Sequence, residues 1–157
     1  MLLLSGHSNY ISVSGSHDHT IRVWNASTGI LAMAPLAGHS EEVTSVAFSP
    51  DGTRIVSCSD DCTIHVGDAF TGNLAMSPLE GHSSSVVFSP DGSHIVSGSD
   101  ALHYPLIGYI HWKPRNGHFR GALQRRYLCC LLARRTHIVS GSADRMIRVW
   151  DTTSEHQ

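Results

Sequence analysis

The sequence predicts an all-β fold of four-stranded antiparallel sheets repeated along the chain, and three observations predict it. The string Val-Ser-Gly-Ser, or a close copy, begins at Val13, Val56, Val96 and Val139, at spacings of 43, 40 and 43 residues. Gly-His pairs at Gly6-His7, Gly38-His39 and Gly81-His82 keep a beat of their own. Turn residues such as Ser49-Pro50-Asp51-Gly52 punctuate short apolar stretches. A supersecondary unit recurring at this period cannot bury its own faces and stacks on its neighbours.

The second unit is complete and shows each element in order. Val43, Ser45 and Ala47 fall on one face of a short strand, and Thr44, Val46 and Phe48 on the other. At Ser49-Pro50-Asp51-Gly52, Pro presets the first turn dihedral and Gly supplies positive φ. Residues 54–59 return as a second strand, Asp60-Asp61 marks a tight turn, and residues 62–67 form a third strand. Thr71-Gly72 turns the chain again into a weaker fourth strand over 74–79. Four short antiparallel strands per unit describe a propeller blade. The expected architecture is an incomplete β-propeller of about three to four such blades. The first unit is 11 residues shorter than the second between its Gly-His pair and its Val-Ser-Gly-Ser string, and the third is three shorter. Residues 1–100 are expected to form blades, 101–135 are atypical, and 136–157 end a further blade.

These residues resemble WD repeats. Gly-His, Ser-Pro-Asp-Gly, Val-Ser-Gly-Ser and Thr-Ile-Arg-Val-Trp stand at matching offsets, best in 13–25 and in 139–151, the latter ending in Trp150-Asp151. The resemblance covers all but 101–135 and the last few residues. The near-identity of the units is also similar to the propeller tails of large fungal signalling proteins. In the WD family a His, a strand Ser or Thr, a turn Asp and a Trp form a hydrogen-bonded set inside each blade. The resemblance implies His7, Ser14 or Ser16, Asp18 and Trp24 as one such set. It implies His39, Ser57 or Ser59, and Asp61 in the second unit, where Gly67 replaces the Trp and should weaken the blade. His82 begins the third set. The fourth unit keeps Asp144 and Trp150 without a Gly-His pair at the expected distance. The chemistry is sound, because a buried indole N–H and imidazole need partners and a turn carboxylate orients the ring.

The 157 residues carry a formal charge of −2 with 12 His counted neutral, which favours neither nucleic acid nor an anionic membrane. The charge is unevenly spread. Seven of the 11 Lys and Arg lie between Lys113 and Arg135, and no acid occurs from Ala101 to Ala143. Cys58, Cys62, Cys129 and Cys130 form no Cys-x-x-Cys pair and no disulfide framework, which points to a reducing intracellular compartment, cytoplasmic or nuclear. Leu2 to Leu4 is too short a run for a signal peptide, and no stretch approaches a membrane span.

The stretch 101–135 occupies the length of one repeat yet carries no repeat signature, and codon arithmetic explains it. Residues 129–135 encoded as TGT TGC CTT CTC GCC CGA CGG read, one base later, Val-Ala-Phe-Ser-Pro-Asp-Gly, identical to residues 46–52. The same shift turns 119–124 into Phe-Glu-Gly-His-Ser-Asn. It turns 102–113 into a close parallel of 62–73, beginning Cys-Thr-Ile-Arg. The expectation is an out-of-frame stretch that does not fold as a blade, since Arg125-Arg126 and Arg134-Arg135 interrupt any core face.

Other chemistries fit less well. His17-Asp18-His19 suggests a metal cluster, but the equivalent positions are Asp60-Asp61-Cys62 and Ala143-Asp144-Arg145, so a strand-connecting turn fits better. Adjacent Cys129-Cys130, with His118 or His137, chelate a tetrahedral metal poorly. Lys113 to Arg135 with Trp112, Phe119 and Tyr127 has the make-up of a nucleic-acid patch, which an accidental reading frame also produces. Gly-x-Ser occurs only within Val-Ser-Gly-Ser, not at a nucleophile elbow. No catalytic residue, metal site or cofactor is expected. The sequence reads as a non-catalytic protein–protein interaction scaffold, with loops near His7, His39 and His82, or the turns before each Thr-Ile-x-Val strand, meeting other proteins or further blades. The rival class is a relic without a role. An open arc leaves blade faces and edges uncovered, so oligomers or instability are expected.

Overall fold

The computed structural model describes residues 11–80 and 84–98, and the backbone alone of strands at 106–111, 118–124, 128–129, 137–141 and 147–151. Strands β1 (Ile11–Gly15) and β2 (Ile21–Asn25) pair antiparallel, with Ser14 opposite Arg22 and Ser12 opposite Trp24. Bridges Trp24–Leu31 and Ile21–Leu36 add a third line of chain to this first blade. The second blade runs β3 (Val43–Phe48), β4 (Arg54–Ser59), β5 (Thr63–Asp68) and β6 (Leu79–Glu80), in that spatial order. Its fourth strand is shorter than the sequence suggests: only Leu79-Glu80 and a bridge from Gly67 to Leu74 pair with β5. The third blade is β7 (Ser85–Phe88), β8 (His94–Gly98), β9 (Leu106–His111) and β10 (His118–Gln124). A fourth sheet joins β11 (Leu128–Cys129), β12 (His137–Gly141) and β13 (Ile147–Asp151).

The backbone therefore differs from the expectation for 101–135, where no blade was foreseen, because β9 and β10 extend the third sheet from β8. The edge of β8 offers a row of N–H and C=O groups, and Leu-Ile-Gly-Tyr-Ile-His is rich enough in β-formers to take it.

Blades bury both faces, so a middle strand is buried throughout rather than on alternate residues. In β4 the five residues after Arg54 are all buried. Ile55 joins Ile21, Val23, Val43 and Ala69 between the first and second blades. Val56, Cys58 and Val66 join Val86, Phe88 and Ile95 between the second and third. Each fully buried Val or Ile side chain contributes about 2 kcal/mol. The stacking is close enough to dictate glycine. A Cβ on Gly15 would stand 2.6 Å from Val43 Cγ1, and one on Gly72 (φ +74) would stand 2.5 Å from Leu36 Cδ2.

The turns form as read. Asp51 Oδ1 accepts from Ser49 Oγ at 2.6 Å and from the Thr53 N–H at 3.0 Å, while Gly52 takes φ 70. The third blade repeats this with Ser89, Asp91 and Gly92. Among the described residues no helix is long and apolar enough to cross a membrane.

Candidate functional site

The β4–β5 hairpin and the loop entering β3 bring His39, Ser57 and Asp61 together. His39 Nδ1 lies 2.9 Å from Asp61 Oδ2, and His39 Nε2 lies 2.9 Å from Ser57 Oγ. Asp61 also accepts from the Ser40 N–H, the Thr63 N–H and the Thr63 hydroxyl, the last at 2.6 Å. Burial pushes the Asp61 carboxyl up, but the hydrogen bonds from Thr63, Ser40 and His39 outweigh it and hold the group well below the usual carboxylate range. An ionised Asp61 accepts the hydrogen bond of His39 Nδ1–H, leaving Nε2 to accept from the Ser57 hydroxyl. Ser57, not Ser59, is the strand serine of this set. Ser59 Oγ instead accepts from the Asp61 N–H at 3.1 Å and shapes the turn.

The order serine–histidine–aspartate is that of a hydrolytic triad, yet burial assigns it a different role. Ser57 is 1% exposed and the His39 side chain 2%, so the hydroxyl meets no substrate carbonyl. The set fastens the blade. The His39 ring points inward, while its neighbours Ser40, Glu41 and Glu42 are more exposed.

In the first blade the matching serine is Ser14, whose Oγ accepts from Trp24 Nε1 at 2.8 Å. Ser16 accepts from the Asp18 N–H. Asp18 is far more exposed than Asp61: it accepts from the Thr20 N–H and hydroxyl and pairs with Arg22. Those partners hold its carboxyl well below the usual range, with Thr20 the largest influence and Arg22 next. His19 and Cys62, which follow Asp18 and Asp61, both take positive φ, at 68 and 64. His17-Asp18-His19 is thus a tight turn with its carboxylate engaged locally. His7, His82 and Asp144 lie outside the described residues. Trp150 is placed only as backbone, opposite Ile138.

Two features escaped sequence reasoning. His65 stacks on His39 with ring centroids 3.8 Å apart and planes 18° apart. Burial first, then the nearby His39, pushes the His65 imidazole below its ordinary value, with Asp61 pulling the other way. The available signal was Gly67: with no large side chain two residues along the same strand face, His65 has room to fold over. The second feature is a contact from His17 of the first blade to Glu42 beside the second, across an exposed rim.

A buried His–Ser–Asp set inside a four-stranded sheet stacked between its neighbours defines a propeller repeat protein. The sequence profile of the WD domain, G-beta repeat family matches residues 2–25, 32–68, 73–102 and 116–151, and the chain belongs to this family. The last match starts at 116, inside the stretch the motifs alone had left out, and takes in Gly117-His118.

Relatives include the Denticleless protein homolog of Danio rerio, 44% identical over 70 residues, covering 36% of this chain and 11% of that protein. Ribosome assembly protein 4 of Saccharomyces cerevisiae is 42% identical over 53 residues, covering 34% and 10% respectively. The Lissencephaly-1 homolog of Caenorhabditis briggsae is 42% identical over 52 residues, covering 33% and 13%. The chain spans about a tenth of the length of the curated relatives it matches.

Proposed function

We propose that the chain is a non-catalytic, intracellular protein–protein interaction scaffold. One observation carries the reading: the chemistry-bearing set His39–Ser57–Asp61 is buried and engaged with itself, so recognition falls to the rim above it. There the loop before β3 and the turns 16–20 and 59–63 converge. Glu41, Glu42, Asp60 and His17 line that rim, with the His17 side chain 88% exposed. Four WD matches support the reading, as does a relative whose name refers to assembly.

The test is a partner recovered by crosslinking from cells, identified, purified and titrated calorimetrically against this chain. Glu41→Lys and Asp60→Lys on the rim are expected to weaken it about tenfold or more. Asp51→Lys, on the opposite side of the blade, is expected to leave affinity within about twofold. Equal binding by all three variants would overturn the rim assignment.

The first blade also presents a sheet face to be covered. Ile21 and Val23 pack toward the second blade, so Ser14, Arg22 and Trp24 face away from it, and all three are only half-buried. The same register in the second blade, Ser57 opposite His65, is covered by Ile21 and Leu36 of the first. A further blade, from a longer chain or a second copy, fits there. Sizing at rising concentration tests the second copy.

The stretch 101–135 supports a second reading, in which it is translated out of frame and the product is a relic. The exact recovery of residues 46–52 from 129–135 favours it. Transcript sequence decides: codons lacking the required bases end this reading.

A further inference from the structure

The β1–β2 hairpin of the first blade and the β4–β5 hairpin of the second pair in the same register, and one of the side chains in which they differ is decisive. In the first, Trp24 spans back along β2 and gives its Nε1 proton to Ser14 Oγ at 2.8 Å. In the second, the matching strand residue is Gly67, and Ser57 takes the place of Ser14. Ser57 Oγ is tied to His39 Nε2 on one side. Where Ser14 accepts an indole proton, Ser57 has a lone pair and no side chain from position 67 to fill it. A buried acceptor in that state favours a donor strongly.

The space around it is small and lined largely by apolar side chains. A Cβ built on Gly67 meets nothing closer than the Asn73 carbonyl oxygen at 3.6 Å, an ordinary contact. Ile21, Leu36, Ile55 and Leu74 line a small cavity there, with Ser57 and His65 as its polar walls. As folded it holds about 30 Å³, room for a water or two. The rest of the indole's place is taken by the His65 ring, stacked on His39. No hydrogen bond to that ring is seen among the described residues; it is held by its stack on His39 and by burial beside Gly38. Leu74, at the mouth, is 49% exposed and has room to move.

We propose that this place in the second blade is a binding site for a small free heteroaromatic ring with one N–H donor, of the indole class. The ring enters past Leu74, displaces the His65 imidazole, and donates its N–H to Ser57 Oγ as Trp24 does to Ser14. The cavity is small as folded, about 30 Å³, which favours a free ring over one carried on a polypeptide.

The test uses the full chain with indole as the probe, read by calorimetric titration and by the melting temperature followed by circular dichroism. Saturable one-to-one binding and a rise of a few degrees in Tm at saturating indole are expected. N-methylindole, which has the ring without the donor, is expected to bind about tenfold more weakly. Gly67→Trp fills the place from within and is expected to abolish binding. Ser57→Ala is expected to reduce indole to the affinity of N-methylindole. Absence of saturable binding to the unaltered chain, or equal affinity for indole and N-methylindole, overturns the proposal without reliance on any variant. Equal binding of N-acetyl-tryptophanamide overturns the choice of a free ring over a side chain. Binding undiminished in a folded Gly67→Trp chain overturns the location.

Discussion

The first and second blades are built to one plan and fastened in two ways. Both place a serine hydroxyl on the first strand of a hairpin, β1 or β4, opposite Arg22 in one and His65 in the other. In the first blade the described bond to that hydroxyl comes from an indole on the neighbouring strand. In the second the hydroxyl instead donates to an imidazole in the entering loop, itself held by a turn carboxylate. The serine is thus a junction that a blade can load from either side. The loss of the Trp at Gly67 leaves the His–Ser–Asp arm intact and costs the second blade a packing group, not its polar order.

The largest expected difference separates the two turn aspartates. Asp61→Ala strips a partner from buried His39 and from three further donors, and is expected to cost about 3 kcal/mol in chemical denaturation. Asp18→Ala removes an exposed carboxylate whose partners water can replace, and its midpoint is expected to move far less. Equal losses would break the comparison. Next in size, Trp24→Ala is expected to cost about 2 kcal/mol, since the half-buried indole gives up both packing and its bond to Ser14. Gly67→Trp is expected to run the other way and raise Tm, the indole supplying the second blade with what the first already has.

A smaller effect depends on pH. His65 is pushed below its ordinary value of 6.5 when folded, so the unfolded chain binds the proton more readily. Stability is therefore intact above that value and is lost as pH falls below it. His65→Phe is expected to flatten that part of the profile while leaving the loss below the carboxylate value of 3.8, where Asp61 protonates only on unfolding. The smallest effect concerns Cys62, held at φ 64 where glycine is at ease. Cys62→Gly is expected to change stability by no more than about 1 kcal/mol, in the stabilising direction.

The repeat period, the hairpin strands β3 to β5 and the Asp51 and Asp61 turns were legible because each rests on local chemistry that recurs, whereas the His–Ser–Asp set came from the resemblance to WD repeats. The choice of Ser57 over Ser59, and Ser14 over Ser16, was not, since both serines of the motif lie in or next to the same hairpin and only register separates them. The glycine of Val-Ser-Gly-Ser at Gly15 answers to a neighbouring blade 2.6 Å from its missing Cβ, a demand invisible along one strand. The stack of His65 on His39 follows from an absence two residues away, which a motif search records only as a defect. Strands β9 and β10 were missed because their place comes from the waiting edge of β8 rather than from alternation of their own.

Native-state hydrogen exchange on residues 43–98 tests the account most directly, because face-to-face stacking makes the inner strands of adjacent sheets open together. The amides of Val56, Cys58, Val66 and Val96 are expected to exchange slowest and with one common opening energy, well above that of the 69–78 connection. Fast exchange in β4, or separate opening energies for β4 and β8, would show that the sheets do not stack and would contradict the blade arrangement on which every other inference stands.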